Sequence, residues 1–367
     1  MGKSGKQNKS AKTVIPFGPQ HPVLPEPLHL KLVMEDEIIV EAIPAIGYVH
    51  RGLEKLTEIK EFTQNVFIVE RICGICSVMH AQAYCQGIET LMNIQIPDRA
   101  KYLRVIWAEL HRIHSHLLWL GLLADAFGFE SLFMQVWRNR EKVMDIMEET
   151  AGGRVIISVN TIGGTRRDMS PEALRKVAVI ADEIKEDMKQ LEKVFMADYT
   201  VKHRLVGVGV LEPDLAYEFG AVGPMARASG IKQDLRTTGY AAYGELDFEP
   251  VIETGCDSYA RTMVRLREVY QSVDLIKQAI DKIPDGEISV PVKGMPNGEV
   301  ISRVEQPRGE VLYYLKANGT KNLERLRIRT PTFANIPTLL KMLPGSELAD
   351  VPILILTIDP CISCTER

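Results

Sequence analysis

The chain carries two pairs of cysteines with the spacing Cys-x-x-Cys, one pair near each end. Cys73 and Cys76 lie in the stretch RICGICSVMH, and Cys361 and Cys364 lie in DPCISCTER. Together they supply four thiolates, which are soft ligands suited to zinc, iron–sulfur clusters, nickel or copper(I). The cysteines therefore predict a metal site that forms only when the two ends of the chain fold back together.

Two other uses of such pairs fit the spacing less well. Zinc ribbons place their pairs about 15–20 residues apart, whereas nearly the whole chain separates these two. A thioredoxin-like dithiol needs one pair near a βαβ unit and leaves the second pair unexplained. A structural zinc staple stays open as an alternative. Cys85 and Cys256 are single, and we expect both to be small buried apolar residues.

The composition narrows the classes of protein to consider. The 367 residues are 46% hydrophobic and 25% charged, as in soluble globular proteins, and the net charge of −4 gives no case for nucleic-acid binding. No apolar run follows the basic start, so we expect no export signal and no disulfide framework. The longest apolar stretches are shorter than the roughly 20 residues of a bilayer helix. We therefore expect a chain that does not span a membrane, although it can dock on subunits that do.

The pattern of apolar residues predicts the elements that must position the cysteines. Residues 28–48 alternate around the turn MEDE, which is typical of a β-hairpin. Residues 53–93 have helical spacing that the first cysteine pair interrupts. Four long helices, which can pack as a bundle, are predicted at 98–127 with Asp98 as N-cap, at 131–153, at 170–196 with Ser170 as N-cap, and at 258–283. Strands are predicted at 204–212, 309–319 and 351–359.

These elements predict an α-rich α+β protein with a central bundle of long helices and small peripheral β-sheets. We expect residues 1–13 to be a disordered basic tail. Residues 14–367 are expected to form one domain. Its parts would be an N-terminal β-hairpin region, a helical core at about 53–283, and a C-terminal α/β segment that carries the second cysteine pair.

Several motifs together resemble the large subunit of nickel–iron hydrogenases. They are RICGIC followed by His80, DPCISC, GPQHPVLPEP, GYVHRGLEKL and EQPRGEVLYYLKANG. The resemblance runs from about residue 17 to the end. GPQHP, HRGLEKL, ELHRIHSHLLWLG and EETAGGRVIISVNTIGG also resemble the quinone-site subunit of respiratory complex I, which lacks the nickel-binding cysteines. A chain that combines the complex I-like motifs with all four paired cysteines resembles the membrane-bound, energy-converting group of these hydrogenases.

The resemblance implies a nickel–iron centre whose iron carries carbon monoxide and cyanide, Fe(CO)(CN)2. By motif position, Cys73 and Cys361 would bind nickel terminally, and Cys76 and Cys364 would bridge nickel to iron. The implied reaction is reversible heterolytic cleavage of hydrogen, with the Cys361 thiolate as the first proton acceptor. The alternative is a complex I-like scaffold subunit that couples to a quinone or a membrane arm without nickel.

Five further residues match the family pattern. Glu26 resembles a glutamate that carries the proton away, or else it is an exposed loop residue between two prolines. Arg308, flanked by Pro307, resembles an arginine that overhangs the metals; its alternative is a solvated surface turn. Asp359 would pair with that arginine or simply cap a turn. His80 would donate an N–H to a cysteine sulfur or serve as a buried core histidine.

Glu54 matches a glutamate that binds a structural magnesium ion in many relatives, where the C-terminal motif supplies a histidine ligand. Here Arg367 takes the place of that histidine. Arginine is always protonated and cannot bind a cation. Our hypothesis is that the charge of Arg367 substitutes for the magnesium ion beside Glu54.

Another departure lies among the histidines. Relatives of the soluble type have an aspartate where this chain has Ser115. His111 and His114 share a helical face that His116 shares poorly, so structural or hydrogen-bonding roles are favoured over a metal site. His21 resembles the histidine that meets the quinone in complex I, and we expect its loop to couple to a membrane arm.

The resemblance also implies partners. No cysteines remain for an iron–sulfur cluster, so we expect an iron–sulfur small subunit and a ferredoxin-like electron-transfer subunit. Integral membrane subunits would translocate ions, and maturation proteins would install the metals. We expect a peripheral location on the cytoplasmic side of the membrane, and no nucleic-acid partner. No segment follows Arg367, so we expect either a processed form or one made without a C-terminal extension.

Overall fold

The computed structural model describes residues 12–21, 24 and 26–367. The predicted basic tail at 1–13 lies outside the described residues except for its last two, and Thr13 already begins a strand. The strands are β1 (Thr13–Phe17), β2 (His29–Glu35), β3 (Ile38–Ala45), β4 (Asn160–Thr161), β5 (Gly164–Thr165), β6 (Asn297–Gln306), β7 (Gly309–Asn318) and β8 (Leu323–Arg329). The helices are α1 (Leu53–Ile59), α2 (Asn65–Glu70), α3 (Ser77–Leu91), α4 (Asp98–Ala126), α5 (Glu130–Ala151), α6 (Pro171–Ala197), α7 (Tyr199–Leu205), α8 (Pro213–Glu218), α9 (Pro224–Arg227), α10 (Ser258–Lys282), α11 (Pro331–Met342), α12 (Val351–Thr357) and α13 (Ile362–Glu366).

The four long helices pack as the predicted bundle: α4 contacts α5 and α10, and α6 contacts the same two helices. Local signals set their ends. Ser170 accepts a hydrogen bond from the Ala173 N–H at 3.1 Å, and α5 ends at Gly152 in the left-handed conformation. The prediction of Asp98 as N-cap is wrong. Pro97 holds that position, and Asp98 in the first turn pairs with Lys101 instead.

Two three-stranded antiparallel sheets have the strand orders β1-β2-β3 and β6-β7-β8, and β4 pairs with β5. The sheet β6-β7-β8 packs on α3 and α1, and β3 contacts α11. The predicted hairpin is confirmed as β2 and β3, which turn at Asp36. The predicted strand at 309–319 is confirmed as β7. Gln306 pairs with Gly309 across the tight turn that joins β6 to β7, so Pro307 and Arg308 lie at its tip.

Two predicted strands are wrong. Residues 204–212 leave the end of α7 through Gly207 and Gly209, whose positive φ angles of 74° and 63° are incompatible with an extended strand. Residues 351–357 form the buried helix α12 with Pro352 in its first turn. A short apolar run buried on all sides has no periodicity that separates helix from strand.

The last two helices carry the second cysteine pair into the interior. Helix α12 contacts α4 and α10 of the bundle, and α13 contacts α11. This path brings residues 361–364 to the junction of α2 and α3, where the first pair lies. In the part of the chain that the structure describes, no helix combines the length and apolar character needed to cross a bilayer. The α+β fold with a helical bundle is confirmed, whereas the domain bounds stay a prediction.

Candidate metal centre

The four cysteines meet in one buried pocket. Cys73 lies between α2 and α3, Cys76 immediately precedes α3, Cys361 immediately precedes α13, and Cys364 lies within α13. The sulfur atoms of Cys73 and Cys361 are 3.2 Å apart, and those of Cys76 and Cys364 are 3.5 Å apart. A disulfide needs about 2.05 Å, so all four are free thiols. Cys85 and Cys256 are also buried, as expected.

The protonation of these thiols indicates what the pocket can bind. Hydrogen bonds from Cys361, Cys364 and Cys76 lower the pKa of Cys73 well below its usual range. Burial and the neighbouring sulfurs raise the pKa of Cys364 well above it. The pKa values of Cys76 and Cys361 are raised as well, with contributions from Cys73 and from burial, so a cation in the pocket would favour the ionised form of these thiols. A soft transition metal fits this donor set.

Arg308 lies at the tip of the β6–β7 turn, close enough to Cys361 and Cys73 to interact with their charges. Its Nε donates to the Asp359 carbonyl at 2.9 Å and to Asp359 Oδ1 at 3.0 Å. Burial alone would lower the pKa of Arg308, but Asp359 and Cys361 raise it well above its usual value. Its Nη1 is buried and has no hydrogen-bond partner among the described residues. The guanidinium thus has a free donor near the sulfurs, and Pro307 is buried beside it. The alternative interpretation of Arg308 as a solvated residue in a surface turn is therefore wrong.

Asp359 lies between two arginines. Besides the bond to Arg308, its Oδ2 is 3.9 Å from Arg265 Nε. Arg265 is fixed by a bond to the Thr357 carbonyl at 3.0 Å and by the Trp119 ring beneath it. The sequence analysis missed Arg265, because α10 contains several arginines and no motif marks this one.

Glu26 lies at the start of α13. Its Oε2 accepts hydrogen bonds from the backbone N–H groups of Ile362 and Ser363, the two residues that follow Cys361. Burial, with a contribution from the Cys73 charge, raises the pKa of Glu26 to about 7 against the opposing effect of Arg308. The structure thus brings Glu26 to the cysteines. This position contradicts the alternative that Glu26 is an exposed loop residue. Its role as a proton carrier stays a prediction.

His80 links Cys364 to Tyr313. Its Nε2 is 3.4 Å from Cys364 Sγ, and its Nδ1 is 2.7 Å from the Tyr313 hydroxyl. Burial lowers the pKa of His80 to about 4, so the imidazole is neutral. A neutral ring can accept from the tyrosine O–H and donate its one N–H to the sulfur. Tyr313 was missed, although it lies in a quoted motif, EVLYYLKANG.

The histidines of α4 border this pocket without joining the cysteines. His111 and His114 are close enough to feel the charge of Cys73, and both ring nitrogens of His114 are buried without a hydrogen-bond partner among the described residues. His116 Nε2 is 2.8 Å from Glu268 Oε2, and His111 Nδ1 is 3.3 Å from the Ile75 carbonyl. Among the described residues, ligand atoms close enough to share an ion occur only in two sets: Cys73, Cys361 and Cys364, and Cys76, His80 and Cys364.

Three other expected positions are placed as follows. The Ser115 hydroxyl is buried without a partner among the described residues. His21 stacks on Phe17 at 4.2 Å between ring centroids. Glu54 lies on α1 and accepts a hydrogen bond from Arg367 Nε at 2.8 Å.

Arg51 joins the two cysteine segments and was also missed. Its Nη1 donates to the Arg71 carbonyl at 2.8 Å, and its Nη2 donates to the carbonyls of Ile72 and Ser363 at 2.9 and 3.0 Å. One planar guanidinium therefore holds the loop before Cys73 against helix α13, which contains Cys364. The signal was the arginine within the quoted motif GYVHRGLEKL.

We expect Arg51→Ala to lower metal affinity about 10–100-fold, the range for residues that orient metal ligands, because the two cysteine pairs lose their common tie. Elemental analysis after dialysis checks this. Arg71→Ala is the matched control, since among the described residues its guanidinium bonds only to Phe67 and Glu70, which are nearby in the sequence. Equal metal loss in the two variants would contradict the role of Arg51.

Two family models match different parts of the chain. The family model described as respiratory-chain NADH dehydrogenase, 49 Kd subunit, matches residues 126–295 and 290–367, and the model described as nickel-dependent hydrogenase matches residues 51–126.

Three curated relatives align with nearly the whole chain. The membrane-bound hydrogenase subunit alpha of Pyrococcus furiosus is 40% identical over 371 residues, covering 96% of this chain and 87% of that protein. The carbon monoxide-induced hydrogenase of Rhodospirillum rubrum is 38% identical over 356 residues, covering 96% and 99%. One subunit of the F(420)H(2) dehydrogenase of Methanosarcina mazei is 35% identical over 369 residues, covering 98% and 99%. The chain therefore belongs to the family that unites the large subunits of membrane-bound nickel–iron hydrogenases with the 49 kDa subunit of respiratory NADH dehydrogenase.

Proposed function

We propose that this chain is the catalytic subunit of an energy-converting nickel–iron hydrogenase, which interconverts hydrogen with protons and electrons. The observation that carries the proposal is the meeting of four buried, unpaired thiols from opposite ends of the chain. A complex I-like scaffold would have no use for this set. The complex I-like scaffold is the second candidate function. It is supported by the match of the 49 Kd family model to residues 126–367.

Each residue of the pocket has a proposed task. Cys73 and Cys361 would hold nickel, and Cys76 and Cys364 would hold both nickel and iron. When bound, the nickel–iron centre with Fe(CO)(CN)2 would supply the redox chemistry of heterolytic hydrogen cleavage. Arg308, with its unpartnered Nη1, would donate a charge-assisted hydrogen bond to an anionic ligand in the pocket.

The proton leaves through side chains of this chain. Cys361 Sγ would take it first. Glu26 is the next acceptor, because its carboxylate is bonded to the two N–H groups that follow Cys361. A pKa of about 7 lets this carboxyl take up and release a proton near neutral pH. His80 would keep the Cys364 sulfur oriented through its contact at 3.4 Å.

The electrons need further subunits. Cys85 and Cys256 are single and buried, so neither offers a cluster site. We propose an iron–sulfur small subunit against this chain, a ferredoxin-like electron-transfer subunit beyond it, and integral membrane subunits that translocate ions. Maturation proteins would load the metals. The complex would place this chain at the cytoplasmic face of the membrane. The name of the Pyrococcus furiosus relative, a membrane-bound hydrogenase subunit, supports the association with a membrane.

Metal analysis of the purified complex tests the proposal. We expect nickel in an amount equal to this chain and infrared bands from carbon monoxide and cyanide on iron; the total iron should exceed the nickel, because the proposed iron–sulfur subunits also contain iron. A metal-free pocket would support the complex I-like scaffold instead. Zinc in the pocket would support the structural staple.

A further inference from the structure

Glu54 is the residue at which the family resemblance implies a magnesium ion, but its carboxylate is occupied by nitrogen donors. Oε1 accepts from Arg367 Nε at 2.8 Å and from the Ile328 N–H at 3.0 Å. Oε2 accepts from Arg327 Nη1 at 3.3 Å, and Arg325 Nη2 lies 3.9 Å from it. One carboxylate thus faces three guanidinium groups and a backbone N–H.

This environment does not fit magnesium. The ion requires about six oxygen ligands at 2.0–2.1 Å in octahedral geometry, and N–H groups cannot supply them. A divalent cation would also have to approach three fixed positive charges. The sets of described residues able to share an ion do not include Glu54. The residues present therefore disagree with the implied metal.

Arg367 is held from several sides beside Glu54. Its Nε bonds to Glu54, its Nη1 donates to the Thr365 carbonyl at 2.8 Å, and its guanidinium lies 5.5 Å from the Phe333 ring centroid. The side chains of Glu54 and Arg367 are only 14% and 17% exposed. Such a partly buried pair is screened less by solvent than a surface ion pair.

Glu366, the residue before Arg367, is bonded to the segment that precedes α1. Glu366 accepts hydrogen bonds from the N–H groups of Gly47 and Val49 at 2.6 and 2.5 Å. Helix α13 has only five residues, and a helix this short is not stable without tertiary contacts. The orientation of Cys364 within it therefore depends on these ties.

We propose that the Arg367 guanidinium is the fixed cation that fastens residues 361–367 to α1 in place of a divalent metal, and that this tie positions Cys364. The inference concerns contacts within the chain itself and does not depend on the metal that the cysteines bind.

The test uses the purified complex dialysed against magnesium-free buffer, with amide hydrogen exchange of residues 361–367 as the readout. We expect no magnesium to be retained, and no change in exchange or thermal midpoint when magnesium chloride is added back. In Arg367→Gln we expect exchange about tenfold faster, which corresponds to about 1.4 kcal/mol. Glu54→Gln should match it, and the double variant should be no worse than either single one.

Two variants separate this positioning role from a general loss of structure. Arg327→Gln removes a donor to the same carboxylate, but its side chain is 61% exposed and belongs to β8, so exchange in 361–367 should stay at the wild-type rate. Arg367→Lys keeps the charge without the planar donor group and should give an intermediate rate, even if Arg367→Gln fails to fold.

Three outcomes would overturn the proposal. They are magnesium retained through dialysis, stabilisation of the wild type by added magnesium, and identical exchange in Arg327→Gln and Arg367→Lys. A complex without nickel whose 361–367 amides behave as described would refute the hydrogenase assignment alone.

Discussion

Cys361→Ala is expected to abolish nickel retention and hydrogen turnover. The sulfur of Cys361 is fully buried, lies 3.2 Å from that of Cys73, and is the proposed first proton acceptor. Loss of a residue that merely orients a metal ligand costs about 10–100-fold in affinity or activity, so removal of a ligand should exceed that range. Nickel content and deuterium exchange into hydrogen gas measure the two losses separately.

Cys85→Ala is the matched control for this experiment. Cys85 is as buried as Cys361, and burial likewise raises the pKa of its thiol. The charged residues near Cys85 include Arg104 and Glu89, and the four paired cysteines are not among them. We expect Cys85→Ala to keep its nickel and its turnover. Full nickel content in Cys361→Ala, or equal losses in both variants, would refute the pocket as the metal site.

The composition of the pocket was predictable because its ligands form short local motifs. Two residues of one type at a fixed spacing, repeated at both ends of the chain, indicate a shared metal before any fold is known. The same holds for the long helices, whose periodicity and end signals, such as Ser170 and Gly152, act within a few residues. Local patterns therefore predicted most elements of the bundle and the four thiols.

Two arginines beside the pocket were missed, because the motif that contains Arg51 does not show what Arg51 contacts and no motif marks Arg265. Arg51 acts on carbonyls at positions 71, 72 and 363, and Arg265 acts on Asp359, so their partners lie far away in sequence. The prediction of a strand at 351–359 was wrong for a related reason. Helix α12 is buried on every side, and such a segment lacks the alternation of apolar and polar residues that distinguishes a strand from a helix. What the sequence analysis missed was set by tertiary contacts, which no local pattern records.

Glu26→Gln is expected to lower the exchange of deuterium gas with water protons by about 10²–10⁴-fold, the contribution of a positioned acid–base group. The amide can still accept the bonds from Ile362 and Ser363, so the fold and the nickel content should be kept. Glu61→Gln, which removes an exposed carboxylate paired with Lys321, is the control and should exchange normally. Equal exchange in the two variants would mean that the proton leaves by another route.

Glu26→Gln should also change stability in a direction that identifies the carboxyl. Because burial raises the pKa of Glu26 from 4.5 to about 7, the folded chain favours the protonated form. Its contribution to stability is full below pH 4.5 and is lost as the pH rises through about 7. The neutral amide does not titrate, so the variant should gain thermal stability relative to the wild type above pH 7 and not below pH 4.5. A variant that loses proton exchange while gaining stability at alkaline pH would show a carboxyl kept for its chemistry at a cost to the fold. A stability difference independent of pH would contradict the raised pKa.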